Sequence, residues 1–333
     1  MKSHRVLVIG VGSIGERHLR CFHTTGRAEL TFCEPNETLR RTIAERYGVE
    51  GYGSLDAALA AGRTFEAAVI ATPAPSHIPI ATRLAEAGLH LLIEKPLSTS
   101  LDGIDALEAA IARRGVTVAV AYVLRGHPVL RAMRAAIASG RFGRPLQVVA
   151  VSGQHFPKYR PAYREIYYTR HATGGGAIQD ALTHSVNAVE WLVGPIDAVA
   201  ADAAHQCLEG VEVEDTVHVL ARHGDTLSVF TLNQYQAPNE NTITVVAERG
   251  TARMEYHNGR WCSMTEPDTP WHEEMTFAGE RDTLFVNQAN AFLDAVEGKG
   301  PVDCTLAEAV HTLRVMLAIL GSSQGSTLTP IVR

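Results

Sequence analysis

Short apolar runs recur through the first third of the chain, each followed by a segment of helical periodicity. The runs at 5–9, 30–33, 67–71, 90–93 and 116–121 predict strands. Between them, 14–24, 37–47, 55–60, 78–87 and 101–114 are amphipathic or alanine-rich and predict helices. Strand–helix alternation with short links is the signature of a doubly wound parallel sheet, with both of its faces covered. Ser54 and Ser100 stand where helix starts need a cap, and Gly48, Gly88 and Gly115 where helices end.

From about residue 145 the pattern changes. The stretches 148–151, 196–201, 216–221, 226–232, 242–247 and 252–256 are strand-like, with hairpin signals at His223-Gly224-Asp225 and Glu248-Arg249-Gly250. Strands that follow one another without intervening helices imply an antiparallel sheet, hence an α+β second domain. Helices are expected at 283–296 and 306–320 to close it. The expected division is 1–122 and 123–333. No internal repeat or low-complexity linker interrupts either part.

Composition narrows the function classes. The chain has 333 residues, enough for two cores. Its formal charge of −6 supplies no basic field for nucleic acid. Five scattered cysteines, Cys21, Cys33, Cys207, Cys262 and Cys304, lack metal-ligand spacing and read as reduced thiols. No signal peptide is visible, and the longest apolar run, 315–320, is too short to span a bilayer. A cytoplasmic protein without membrane or nucleic-acid partners is expected.

The first strand runs into Gly10-Val11-Gly12-Ser13-Ile14-Gly15, which opens a helix. In a Rossmann dinucleotide fold the first glycine permits the turn and the second lets backbone approach a pyrophosphate. The third packs helix on strand. Ser13 and Ile14 supply amides at the helix start. Glu34 closes the second strand, where a carboxylate accepts ribose hydroxyls and repels a 2′-phosphate, favouring NAD over NADP. Arg40 and Arg41 follow, on what reads as a solvated helix face. A third strand ends in Thr72-Pro73, which lie over the cofactor crevice and are expected to contact the cofactor, and His77 then either touches ribose or substrate or simply starts the next helix.

The fourth strand ends abruptly in Glu94-Lys95-Pro96. In open α/β sheets, ligands bind at the carboxyl ends of strands, and a half-buried ammonium there can relay protons. In the second half, Gly174-Gly175-Gly176 leads a helix that carries Asp180 and His184 four residues apart, on one face. A carboxylate beside an imidazole suits a general base. Asp180 and His184 with His155 or His171 match no metal spacing, so no metal is expected. The aromatic and basic run 156–168 reads as a substrate-facing loop or an oligomer contact.

Together the glycine motif, Ala71-Thr72-Pro73, Glu94-Lys95-Pro96, Tyr122 to Pro128, Gly174 to His184 and Trp191-Leu192-Val193-Gly194 resemble the Gfo/Idh/MocA oxidoreductases. That family is named for glucose–fructose oxidoreductase and inositol dehydrogenase. The resemblance implies a Rossmann domain followed by a domain on a large open, mostly antiparallel sheet, which often assembles dimers or tetramers. It implies oxidation or reduction of a secondary alcohol/ketone pair on a sugar, polyol or sugar derivative. Lys95 would then orient the substrate hydroxyl, Asp180 would bond the substrate, and His184 would be the acid/base. Glu94 and Lys95 join the cofactor contacts, and Tyr122, Arg125, Tyr163, Arg164, Tyr167 and His171 are candidate substrate contacts. The chain departs from many relatives at Leu182, where they carry glycine, and at Asn187, where they carry aspartate. Two other readings fit the scaffold: a glycosidase or lyase using NAD transiently, and a non-enzymatic dinucleotide sensor.

Overall fold

The computed structural model describes residues 3–325. It divides into two compact units, one formed by residues up to 126 with 279–310, the other by 127–278 with the residues from 311 onward.

In the first unit, strands β1 (His4–Ile9), β2 (Ala28–Cys33), β3 (Glu50–Tyr52), β4 (Ala67–Ile70), β5 (His90–Ile93) and β6 (Val118–Val120) alternate with helices. These are α1 (Ser13–Thr24), α2 (Glu37–Tyr47), α3 (Leu55–Ala60), α4 (His77–Glu86) and α5 (Ile104–Arg114). The sheet order is β3-β2-β1-β4-β5-β6, and every neighbouring pair is parallel. Strands leave β1 on both sides, which places a crevice at the carboxyl ends of β1 and β4. Val6, Leu7 and Val8, and likewise Ala68, Val69 and Ile70, are buried in succession, as a sheet covered on both faces requires. Asn36 and Ser54 cap α2 and α3 through the amides of Leu39 and Ala57. Ser100 does not act as expected: α5 starts later, after Gly103, and the Ser100 hydroxyl bonds Asp102. The polar strand β3 was not expected. It depends on Gly51, where any Cβ would stand 2.4 Å from the Phe32 ring.

In the second unit, α6 (Pro128–Ala138) and β7 (Pro145–Gly153) precede α7 (Phe156–Tyr159) and three short 3-10 turns, followed by α8 (Thr183–Val193). Then come β8 (Ala198–Ala204), β9 (Thr216–His223), β10 (Thr226–Asn233), β11 (Glu240–Ala247), β12 (Gly250–Glu255), β13 (Arg260–Met264) and β14 (His272–Thr276). Their order is β14-β13-β12-β11-β7-β10-β9-β8, with β7 and β10 parallel and the other pairs antiparallel. Burial alternates along β9: Val217, Val219 and Ala221 face inward, while Leu220 is 64% exposed. One face is therefore covered and the other open. The helix α6 and the strands β13 and β14 were absent from the sequence reading.

The expected closing helix, α9 (Arg281–Val296), belongs to the first unit instead. Its Ala289, Phe292 and Leu293 join the core cluster of Phe22, and the Phe22 and Phe292 rings meet edge-on at 6.3 Å. Arg20 pairs with Asp282, and Arg27 with Asp294 and Glu297. These contacts lie far apart in sequence, so the order of elements along the chain could not show them. The last helix, α10 (Leu306–Gln324), contributes its residues up to Val310 to the first unit and the rest to the second. No helix among the described residues is long and apolar enough to cross a membrane.

Candidate active site

The glycine turn after β1 shows the packing constraint its pattern assigned to Gly15 and leaves open space at Gly12. A Cβ at Gly15 would lie 1.9 Å from the Gly10 carbonyl oxygen, so only glycine lets α1 pack this closely. A Cβ at Gly12 would meet nothing within 4 Å, which leaves room for a phosphate to approach the backbone. Gly12 is also the N-cap of α1, and no side chain caps the helix, so its start can receive an anion. Ser13 and Ile14 are the first two residues of that helix.

Glu34 lies beside this turn, 9% exposed. One carboxylate oxygen accepts the Val11 amide at 3.2 Å and the other accepts the Asn36 amide at 3.0 Å. Each oxygen keeps a lone pair for a ribose hydroxyl. Arg40 donates to the main-chain oxygen of Glu34 at 2.8 Å, which ties its guanidinium to the backbone. The residues present fit a dinucleotide with an unmodified ribose.

Beyond β4, Thr72 and Pro73 lead a 3-10 turn at Ala74–Ser76 into α4. His77 is 1% exposed, and its ring stands between two carbonyls, Thr72 at 2.7 Å and Pro96 at 3.0 Å. Burial pushes its pKa below the usual histidine value, against the opposing pull of those carbonyls and of Glu94. His77 thus ties one loop to another, and both ring nitrogens are engaged by backbone. Glu94 and Lys95 leave β5 beside it, with Lys95 half-buried and a cis Lys95–Pro96 peptide. Glu94 is 4% exposed; its carboxylate accepts from His18 at 2.6 Å and from the Lys95 amide at 2.9 Å.

In the second unit, the helix led by glycines begins as a π-helix, Ala177–Leu182, and becomes the α-helix α8 at Thr183. The regular helix expected from the four-residue spacing is therefore replaced at Asp180 by a wider turn of the kind often found at functional sites. The glycines accommodate this chain's own atoms: a Cβ at Gly175 would be 2.1 Å from the Tyr168 carbonyl oxygen, and one at Gly176 would be 2.6 Å from the Glu214 carboxylate. Glu214, absent from the sequence reading, anchors the turn. Its main-chain oxygen accepts the Ala177 amide at 3.0 Å, and its carboxylate accepts the Ile178 amide at 2.8 Å and bonds His171. Asp180, 6% exposed, accepts the Tyr167 hydroxyl at 2.7 Å. His184 follows on the first turn of α8, half-buried.

The other candidate substrate residues fall into two groups. Tyr167, bonded to Asp180, is 38% exposed. His171 is drawn to Glu214, which raises its pKa through that bond and the carboxylate charge, against desolvation. Arg125 is 2% exposed, and its guanidinium meets the Asp303 carbonyl and the Glu308 carboxylate, so it ties the first unit to its own return segment. Tyr122 is likewise buried, 2% exposed. Tyr163 is buried in an aromatic cluster with Phe156 and Tyr168 and donates its hydroxyl to the Glu209 carbonyl. Arg164 pairs with Glu209. The aromatic run is thus largely a small core of its own, and its alternation with charge hid that packing. Among the described residues, no three histidine, cysteine or carboxylate side chains gather as a metal-binding group.

Two family models cover most of the chain. The model of the oxidoreductase family with an NAD-binding Rossmann fold matches residues 4–122, and that of the GFO/IDH/MocA C-terminal domain matches 130–253. The chain belongs to the Gfo/Idh/MocA oxidoreductases. This family member is 33% identical over 250 residues to the 1,5-anhydro-D-fructose reductase of Ensifer adhaerens, covering 70% of each chain. It is 26% identical over 334 residues to the UDP-N-acetylglucosamine 3-dehydrogenase of Acidithiobacillus ferrooxidans, covering 95% of each. The crystal structure of the WlbA dehydrogenase from Bordetella pertussis, in complex with NADH and UDP-GlcNAcA, superimposes with a TM-score of 0.82 at 25% identity. That match covers 99% of this chain and 100% of the other. The Gfo/Idh/MocA chain is an NAD-dependent oxidoreductase, and its first unit is the NAD-binding part.

Proposed function

We propose that this oxidoreductase interconverts a secondary alcohol and ketone on a sugar, polyol or sugar derivative, with Lys95, Asp180 and His184 handling the proton. The observation that carries the reading is the turn at the end of β5. It presents Lys95 half-buried at the carboxyl edge of the parallel sheet, on a backbone fixed by Glu94 and His77. The bound nicotinamide supplies the hydride acceptor. Lys95 donates a hydrogen bond to the substrate oxygen, where negative charge grows as hydride leaves. Asp180, held by Tyr167, accepts a hydrogen bond from the substrate, and His184 takes the proton. The relatives' own substrates, a sugar nucleotide and an anhydro sugar, support the class.

A panel of sugars, inositols, sugar acids and sugar nucleotides with NAD and NADP, followed by nicotinamide absorbance, tests the proposal. Turnover that accumulates NADH is expected. Turnover without net NADH would mark transient use of the cofactor instead, and a preference for NADP would sink the role given to Glu34. A self-associating surface goes with this reading: Leu220, Val229 and Val149 pair in register on the open face of β9, β10 and β7. Sedimentation should show a dimer or tetramer that Leu220→Glu weakens.

A further inference from the structure

Behind the Glu94-Lys95-Pro96 turn stands a histidine that the glycine motif does not require. His18 lies one turn into α1, 1% exposed, with its ring edge-on to Phe285 at 5.5 Å. Its Nε2 meets Glu94 Oε1 at 2.6 Å, while Glu94 Oε2 accepts the Lys95 amide at 2.9 Å. One buried carboxylate thus joins the helix that starts at the dinucleotide turn to the backbone of Lys95 itself. A carboxylate so far from water needs compensation. Burial pulls its pKa up, but the His18 bond, the His18 and Lys95 charges and the Lys95 amide outweigh that and hold it ionised, below the usual range. His77 on α4 also feels the Glu94 charge, and its ring is engaged by the Thr72 and Pro96 carbonyls.

We propose that His18 is a positioning residue for Lys95: by holding the Glu94 carboxylate it fixes the backbone that carries the lysine. Without His18 the Glu94 carboxylate loses its hold on α1, and the backbone that carries the lysine is no longer fixed. A displacement of about 1 Å at a reacting group is enough to slow chemistry on the order of a hundredfold. This inference rests on the reading of Lys95 given above.

The test uses His18→Leu, His18→Gln and the double variant His18→Leu/Glu94→Met, which removes the buried charge if the single leucine variant does not fold. NADH affinity is read by fluorescence and kcat on the panel substrate that responds. The reactivity of Lys95 is read by trinitrobenzenesulfonate labelling and peptide mass spectrometry, which needs no substrate. His18→Leu, or the double variant in its place, should lower kcat at least about tenfold with NADH affinity within about twofold. It should also change the Lys95 labelling rate by about threefold or more. His18→Gln, whose amide can still donate to Glu94, should restore most of kcat. A folded leucine or double variant with wild-type kcat and labelling overturns the proposal, as does a loss confined to NADH affinity. Wild-type turnover in Lys95→Ala would instead overturn the reading of Lys95, and the labelling rate would still report on His18.

Discussion

The two units of this chain hold their candidate reactive groups by opposite means. In the first, Lys95 rides on a strand end, and the support behind it is a buried carboxylate–imidazole pair. In the second, Asp180 rides on a π-helix whose opening amides are pinned by Glu214 and whose carboxylate is pinned by Tyr167. One arrangement depends on charge balance, the other on hydrogen bonds that shape an irregular backbone. The parallel sheet can offer a lysine directly from a strand end, because its strand ends already converge on the ligand side. A helix packed beside an open antiparallel sheet has no such edge and must be locally rewound to aim a carboxylate.

Lys95→Ala and Asp180→Ala break both halves and should have the largest effect. Each is expected to lower kcat about a thousandfold. NADH affinity, measured by fluorescence, should stay within about twofold in both, since neither side chain forms the glycine turn. If only one of them slows turnover, the proton is handled from one unit alone.

Next in size is a pair of glycine substitutions that separates packing from binding in the first unit. Gly15→Ala places a methyl 1.9 Å from the Gly10 oxygen and should cost about 3 kcal/mol of stability or more, seen as a lowered denaturation midpoint. Gly12→Ala meets no protein atom, so the midpoint should hold while NADH affinity falls at least about tenfold. Equal loss of stability in both would mean that Gly12 serves packing and not phosphate.

Tyr167→Phe sharpens the second half of the comparison. It removes one hydrogen bond to Asp180 and should lower kcat about tenfold, with little change in melting temperature, because Tyr167 is 38% exposed. Retained activity would show that Asp180 is positioned without this bond.

The smallest effect concerns His171. Its bond to Glu214 raises its folded-state pKa above the unfolded value of about 6.5. The stabilisation it contributes is therefore fully present below about pH 6.5 and is lost as pH rises through the raised value. His171→Gln should flatten the decline of melting temperature above that pH by about 1–2 °C, a small shift because the ring is half in solvent.

What the sequence disclosed follows the same division. Gly10, Gly12 and Gly15 were legible because their backbone tolerates no other residue or needs open space, a constraint written position by position. The place of Lys95 at a strand end was legible because a buried strand ended in a charge. His18 and Glu214 were not, since their partners lie 76 and 36 residues away and only the fold brings them together. The π-helix escaped for a related reason: the spacing of Asp180 and His184 suits an ordinary helix, and the rewinding comes from Glu214. Tyr163 and Arg125 misled because an aromatic or basic side chain in a loop looks the same whether it faces a substrate or closes a small core.

The return of α9 to the first unit sets an order of events during synthesis. Phe292 and Leu293 complete the cluster around Phe22, so the dinucleotide-binding sheet cannot finish its core until more than 290 residues have been made. Its strands can pair earlier, but one flank of α1 must wait through the whole second sheet. Such long-range closure slows folding and exposes apolar surface in the interval. A chain truncated before residue 281 would lack α9 altogether and is expected to aggregate rather than yield a smaller NAD-binding protein.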